Sequence, residues 1–243
     1  MPNLQILMPM GGLGSRFTKA GYKTPKPLIE VDGKPMFMKA LDSFKNLKNT
    51  NYIFVIRKDQ DQKYHLRSQI LTHLPMAKIA ILDHDTCGAV ESCLSAEKYI
   101  DDELPIIIAD CDIYFESSEY IKKISAAQLN GRPDAILLCF ESSDPRYSYA
   151  KLDNNNVVAT AEKIVISNNA ILGGYYFNKG SVFKQLAHEF TNEKLPINLK
   201  EYYLSHLFNL LLEKSGKIEI AKTDTMHIFG TPEELNNYLS ITK

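Results

Sequence analysis

Neither sign of charge dominates this sequence of 243 residues: 28 lysines and arginines stand against 29 aspartates and glutamates, for a formal net charge of −1. There is no long run of one sign, which argues against a nucleic-acid surface and a polybasic membrane patch. An anionic ligand must then be met by a few local cations, not by a broad positive field. Long apolar runs are missing as well. None approaches the roughly 20 residues that cross a bilayer, so no membrane insertion is expected. The N-terminus shows no basic stretch followed by an apolar core and a small-residue cleavage site. Cysteine is scarce, confined to Cys87, Cys93, Cys111 and Cys139. No pair has Cys-x-x-Cys spacing, and no histidine cluster completes a zinc pattern. Free thiols in a reducing compartment are expected, and with them a cytoplasmic location. Internal repeats and low-complexity segments are absent too.

What is present is an ordinary globular composition, 44% apolar and 23% charged, enough to bury a real core. Short apolar runs read as strands at Leu4 to Met8, Tyr52 to Ile56, Ile79 to Leu82, Pro105 to Ala109 and Ala135 to Phe140. Helical spacing lies between them, over Met36 to Leu47, Gln60 to Leu74, Ala89 to Ile100 and Tyr120 to Leu129. Alternating strands and helices predict crossover units and a mostly parallel sheet. Near-continuous apolar strands predict helices on both faces, with ligands beyond the carboxyl ends of the strands. After Ser142 the pattern changes. Ser148 to Leu152 and Val157 to Ile164 flank Asp153-Asn154-Asn155-Asn156 and predict a β-hairpin. A strand at Ala170 to Phe177, helices at about 180–190 and 200–214, a strand at Lys217 to Ala221 and a helix from Pro232 follow. The expectation is one domain, 1–243, with a nucleotide-binding half (1–142) and an acceptor-binding half (143–243).

Two strand ends carry unusual chemistry. Pro9-Met10-Gly11-Gly12-Leu13-Gly14-Ser15-Arg16-Phe17 follows the first strand. Glycines there let backbone N–H groups turn inward around a phosphate, and Arg16 adds a guanidinium fork. A dinucleotide fingerprint would need glycine where Phe17 stands, and Gly33-Lys34 is followed by Pro35 where a P-loop needs Ser or Thr. Thr24-Pro25-Lys26-Pro27-Leu28 holds Lys26 between two prolines, a rigid cation for reacting phosphates. Asp110-Cys111-Asp112 ends the fourth strand, and paired acids there suit a hard cation.

Gly-Gly-Leu-Gly-Ser-Arg-Phe, Pro-Lys-Pro-Leu and Val31-Asp32-Gly33-Lys34-Pro35-Met36, in that order, resemble the sugar-phosphate nucleotidyltransferase superfamily. Sugar-1-phosphate pyrophosphorylases and phosphocholine cytidylyltransferases belong to it. The resemblance implies an α/β fold, Rossmann-like (GT-A-like), with a small lobe containing the hairpin. It implies Mg²⁺-dependent transfer of a nucleoside monophosphate to a phosphorylated small molecule with loss of pyrophosphate, for capsule, lipopolysaccharide or other surface glycans. CTP is expected first, then UTP or dTTP; a homodimer is compatible with it. By similarity Met10, Gly11, Gly12, Gly14, Ser15 and Arg16 would wrap the triphosphate, and Lys26 would contact the reacting phosphates. Thr86-Cys87-Gly88-Ala89 resembles the base-recognition turn, giving Thr86, Gly88 and Ala89 to the nucleotide along with Asp110. Asp112 is taken as the metal ligand, with Asp110 as the alternative. Ala161-Glu162-Lys163 resembles the pair that holds the acceptor, Glu162 on its hydroxyls and Lys163 on its phosphate. Gly173-Gly174-Tyr175-Tyr176-Phe177 resembles the strand lining that pocket, through Gly174 and Tyr175, and Glu201-Tyr202-Tyr203 a further pocket element.

The chain departs from the pattern at Ile228, where the family often has a second metal-binding aspartate before its Gly-Thr-Pro. Asp224 or His227 is the candidate substitute. Two other readings stay open: a glycosyltransferase of similar fold, which also uses Asp-x-Asp at a strand end, and a non-catalytic nucleotide-binding module.

Overall fold

The structure is a computed structural model that describes residues 3–195 and 199–241. Its first part runs β1 (Leu4–Met10), α1 (Ser15–Lys19), β2 (Glu30–Val31), β3 (Lys34–Pro35), α2 (Met36–Leu41), β4 (Thr50–Arg57), α3 (Lys58–Tyr64), α4 (Leu66–His73), β5 (Lys78–Leu82), α5 (Ala89–Leu94), β6 (Ile106–Ala109), β7 (Ile113–Glu116), α6 (Ser118–Asn130) and β8 (Ala135–Glu141). The rest is β9 (Ser148–Asp153), β10 (Asn156–Glu162), β11 (Asn169–Phe177), α7 (Gly180–Asn192), α8 (Ser205–Glu213), β12 (Ile218–Lys222), β13 (Thr225–Ile228) and α9 (Pro232–Ile241).

The main sheet has the order β5-β4-β1-β6-β11-β8-β12. Every neighbour pair in it is parallel except those made by β11, which runs antiparallel to β6 and β8. The first residues of β11 instead pair with β9, which carries the hairpin partner β10. Asn154 and Asn155 turn that hairpin at φ 46° and 67°, values that asparagine tolerates better than most residues.

Strand composition explains the layering. In β1, Leu4, Ile6, Met8 and Met10 face one core with Phe37, Phe54 and Tyr120, while Leu7 faces a second core with Val55, Phe183 and Phe208. Strands buried on both sides must read as continuous apolar runs, and each large side chain so buried contributes about 1.5–3 kcal/mol. A third, smaller core joins Phe17, Val31 and Met36 to Phe229, Leu235 and Tyr238. It ties the chain's last helix to the phosphate-loop region.

Several expected helices are shorter than their periodicity. Met36 to Leu47 is α2 followed by a 3₁₀ turn at Asp42–Phe44, and Ala89 to Ile100 is α5 followed by another at Glu97–Tyr99. Gln60 to Leu74 is broken at His65, whose φ is 54°. Helix α3 buries no residue, so no core holds it in line with α4. The Asp61 carboxylate also caps α4, accepting from the Arg67 N–H at 2.8 Å. The helix expected from 200 starts only at Ser205, because residues 201–204 run as a strap instead. The short ribbon of β7 with β13 was not expected.

Candidate active site

β1 delivers Gly11 to Gly14 to the carboxyl edge of the sheet, where a cavity of about 660 Å³ opens. A Cβ on Gly11 would lie 2.6 Å from Leu82 Cδ1, so a side chain there would displace the end of that leucine. Gly14 sits at φ 62° and starts α1. Among the described residues, the N–H groups of Gly12, Leu13 and Gly14 donate to no other protein group. Unspent donors on a concave loop form an anion cradle. Met10 and Ser15 line the same cavity. So does Arg16, which is exposed and makes no ion pair among the described residues.

Lys26 crosses this cavity to bond the Asp112 carboxylate. Both side chains are 18% exposed. Burial by itself would lower the Lys26 ammonium, but the charge of Asp112 and the hydrogen bond hold it above the usual lysine value. Asp112 belongs to the short link between β6 and β7. Its carbonyl accepts from Phe229 N–H at 2.7 Å, which docks the Gly230-Thr231-Pro232 turn beside it. Asp110 lines the same cavity, its carboxylate seated against Gly173. A Cβ on Gly173 would lie 2.1 Å from Asp110 Oδ2, so the glycine makes the carboxylate's seat. Burial, then the charge of Asp112, pushes the Asp110 carboxyl well above the usual range, with Lys26 opposing.

Thr86, Gly88 and Ala89 line the cavity from the opposite wall. Thr86 Oγ1 lies 2.5 Å from Ser92 Oγ. Gly88 adopts φ 129°, and a Cβ there would lie 2.7 Å from Tyr202 N and 2.8 Å from Tyr202 O. The close backbone approach that this glycine permits is therefore made by Tyr202. The Tyr202 N–H donates to Cys87 O at 2.7 Å, and the Val90 N–H donates to Tyr202 O at 3.2 Å.

Glu162 and Lys163 stand together at the end of β10. Glu162 Oε2 accepts from Ser205 Oγ at 2.9 Å and from Ser148 Oγ. Lys163, at φ 56°, has its ammonium 3.7 Å from Glu162 Oε1 and donates to Tyr203 Oη at 3.0 Å. Tyr175 stacks on Phe208 with centroids 5.9 Å apart. Burial first, and then the charges of Asp110 and Glu162, hold the Tyr175 hydroxyl far above its ordinary value. That phenol thus lies in the field of both the strand-end acids and Glu162. Gly174 does not face the pocket: a Cβ would meet Leu138 Cδ2 at 3.3 Å and Tyr120 Oη at 3.6 Å. Its place is in the core packing, and Gly173 is the glycine that serves the site.

A model of the MobA-like NTP transferase domain matches residues 7–173. The chain belongs to the MobA-like NTP transferase family. A UTP–glucose-1-phosphate uridylyltransferase of Haloferax volcanii is 22% identical to it over 95% of this chain and 93% of its own length. A nucleoside-diphosphate-sugar pyrophosphorylase from Vibrio cholerae RC9 superposes with a TM-score of 0.82 at 26% identity, covering 97% of this chain and 99% of that one. The fold is also that of an inositol-1-phosphate CTP transferase from T. maritima, with a TM-score of 0.75 at 15% identity over 100% and 98% of the two chains.

Neither suggested substitute for the missing aspartate lies at the acids of this MobA-like transferase. Asp224 accepts from the Ser118 N–H at 2.8 Å, capping α6, and lines a different cavity. His227 stacks on Tyr114, with centroids 6.3 Å apart, and meets the Tyr238 ring at a tilt, 4.7 Å away. Among the described residues, no group of three or more His, Cys, Asp and Glu is arranged around one point. Two acids at a strand end, one pushed up by burial and then by the other's charge, do fit a divalent cation, a hard ion that prefers oxygen ligands. The sequence reading missed Arg57, Ser148 and Ser205. Arg57, at the end of β4, lines the same cavity as Lys26, its Nε 3.0 Å from Asp59 and its Nη1 2.5 Å from Asp85. Its position one residue past the second apolar run was the available signal. No helix among the described residues is long and apolar enough to cross a membrane.

Proposed function

We propose that the protein is a cytoplasmic, Mg²⁺-dependent nucleotidyltransferase. It joins the nucleoside monophosphate of a pyrimidine triphosphate to a sugar 1-phosphate or related phospho-compound and releases pyrophosphate. The observation that carries this is the row of unspent N–H donors at Gly12, Leu13 and Gly14, with unpaired Arg16 beside it, facing Lys26 in one cavity. Such a site neutralises a triphosphate.

The acceptor phosphate is already ionised at neutral pH. Its oxygen attacks the α-phosphorus in line, a new P–O bond forms, the α–β bridge breaks, and no general base is needed. Lys163 would hold the acceptor phosphate and Glu162 its hydroxyl. Arg16 and Lys26 would meet the charge on the reacting phosphates, so catalysis is positioning plus charge neutralisation. Asp112, with Asp110, would hold Mg²⁺, which when bound offsets charge on the phosphate oxygens. The Haloferax and Vibrio relatives' names support a sugar-phosphate acceptor. CTP is the first candidate through the likeness to cytidylyltransferases; UTP is supported by the uridylyltransferase relative, and dTTP follows. The product would feed capsule, lipopolysaccharide or other surface glycans.

A pyrophosphate-release assay tests this by crossing CTP, UTP, dTTP, GTP and ATP with sugar 1-phosphates, phosphocholine and glycerol phosphates, with and without Mg²⁺. Release that needs Mg²⁺ and one specific pair is expected. Folded protein that binds a nucleotide yet releases nothing with any pair would instead favour the binding-module reading.

A further inference from the structure

Residues 201–205 touch both walls of the site within five positions. Tyr202 seats its backbone on the Gly88 turn, through bonds to Cys87 O and from Val90 N–H. The next residue, Tyr203, holds the Lys163 ammonium at its hydroxyl and keeps its ring 4.5 Å beneath it. Ser205, only 2% exposed, bonds Glu162 Oε2.

The consequences are chemical. Ser148 and Ser205 both spend their hydrogens on Glu162 Oε2. No hydrogen bond reaches Oε1 among the described residues, and the Lys163 ammonium stands off at 3.7 Å, so this carboxylate oxygen can still accept from a substrate hydroxyl. Tyr203 Oη accepts from Lys163, and its own hydrogen has no acceptor among the described residues. The ammonium and the phenol therefore present adjacent donors, the arrangement that suits a phosphate. The Tyr203 hydrogen bond is also the largest influence raising Lys163. Lys163 itself is half exposed, and its backbone occupies the left-handed region at φ 56°.

Resting on the nucleotidyltransferase reading, we propose that residues 201–205 are a strap that sets the acceptor pair from the nucleotide turn, with the Tyr203 hydroxyl as a second donor to the acceptor phosphate. The ligand class is a phosphate ester carrying a free hydroxyl near the phosphate. Arg16 and Lys26 remain for the nucleotide, so the two phosphate sites are held by separate residues.

Tyr203→Phe keeps the ring under Lys163 and removes only the hydroxyl. Binding of glucose 1-phosphate, followed by ligand-observed NMR on the full-length protein, needs no turnover. The affinity is expected to fall about tenfold, the loss for one hydrogen bond to a charged group, while UTP binding stays unchanged. In the transfer assay the acceptor KM rises by the same factor and kcat is nearly constant. Unchanged glucose 1-phosphate affinity in Tyr203→Phe overturns the strap's role, even where the wild type transfers nucleotide. Weakened binding in a protein that transfers nothing supports the strap and sinks the reaction. A wild type that binds neither glucose 1-phosphate nor any other sugar 1-phosphate or glycerol phosphate of the transfer panel overturns this acceptor site.

Discussion

Lys26 shows how one side chain is prepared by its neighbours. Pro25 and Pro27 fix its backbone, Asp112 holds its charge, and the Phe17 ring lies 5.9 Å from its ammonium. Lys26→Ala should lower kcat by about 10²–10³, the cost of removing one preorganised charge from a reacting phosphate. Its circular dichroism should stay native, because Asp112 keeps partial contact with solvent; an active, stable variant would remove Lys26 from the mechanism. The motif containing Lys26 was legible because it is local in the sequence. The choice between Asp110 and Asp112 was not. Both are acids at a strand end, and only the glycine at position 173, more than sixty residues on, separates a seated carboxylate from one that meets Lys26. Ser148 and Ser205 were hidden for the same reason: their partner, Glu162, lies in another element.

At the scale of elements, the apolar runs were reliable because a strand covered on both faces has little freedom in composition. The strap was misread as helix since leucines and tyrosines at helical spacing do not reveal that Tyr202 N–H and C=O are already bonded to the 87–90 turn. The turn between β2 and β3 shows another long-range tie. Asp32, at φ 51°, accepts from Lys39 at 2.6 Å and from the Tyr238 hydroxyl of α9, while Lys39 lies 4.4 Å from the Tyr114 ring. Burial opposes ionisation of Asp32, but the bonds from Lys39 and Tyr238 hold its carboxyl below the ordinary 3.8. A carboxyl lowered on folding stabilises the protein when ionised, and that contribution is lost as pH falls below the ordinary value. Asp32→Asn should therefore destabilise the protein only slightly near neutral pH, by less than about 1 kcal/mol, because Asp32 is exposed and water screens its ion pair. The gap from wild type in thermal melting should close as pH drops below 3.8. A gap that persists in acid would assign the effect to packing of α9 instead.

For the whole molecule, β11 decides how the halves relate. It bonds to β6 on one edge and to β8 on the other, so a strand from the later half lies inside the sheet of the earlier one. A fragment of residues 1–142 would leave those two strand edges open and Phe177, Phe183 and Phe208 missing from the second core. It should fail to fold, and the full chain should lose secondary and tertiary structure in a single transition, measured by far- and near-ultraviolet circular dichroism together. Two separated transitions would show independent halves. The sequence by itself determined the α/β class, the glycine-rich loop after the first strand, the rigid lysine and the hairpin, because each depends on local periodicity, on glycine and proline geometry, or on residues a few positions apart. Only the tertiary structure decided which aspartate meets Lys26, what Gly88 and Gly173 make room for, and how the strap reaches Glu162 and Lys163. Those outcomes depend on atoms that the sheet and its crossovers bring together from distant parts of the chain.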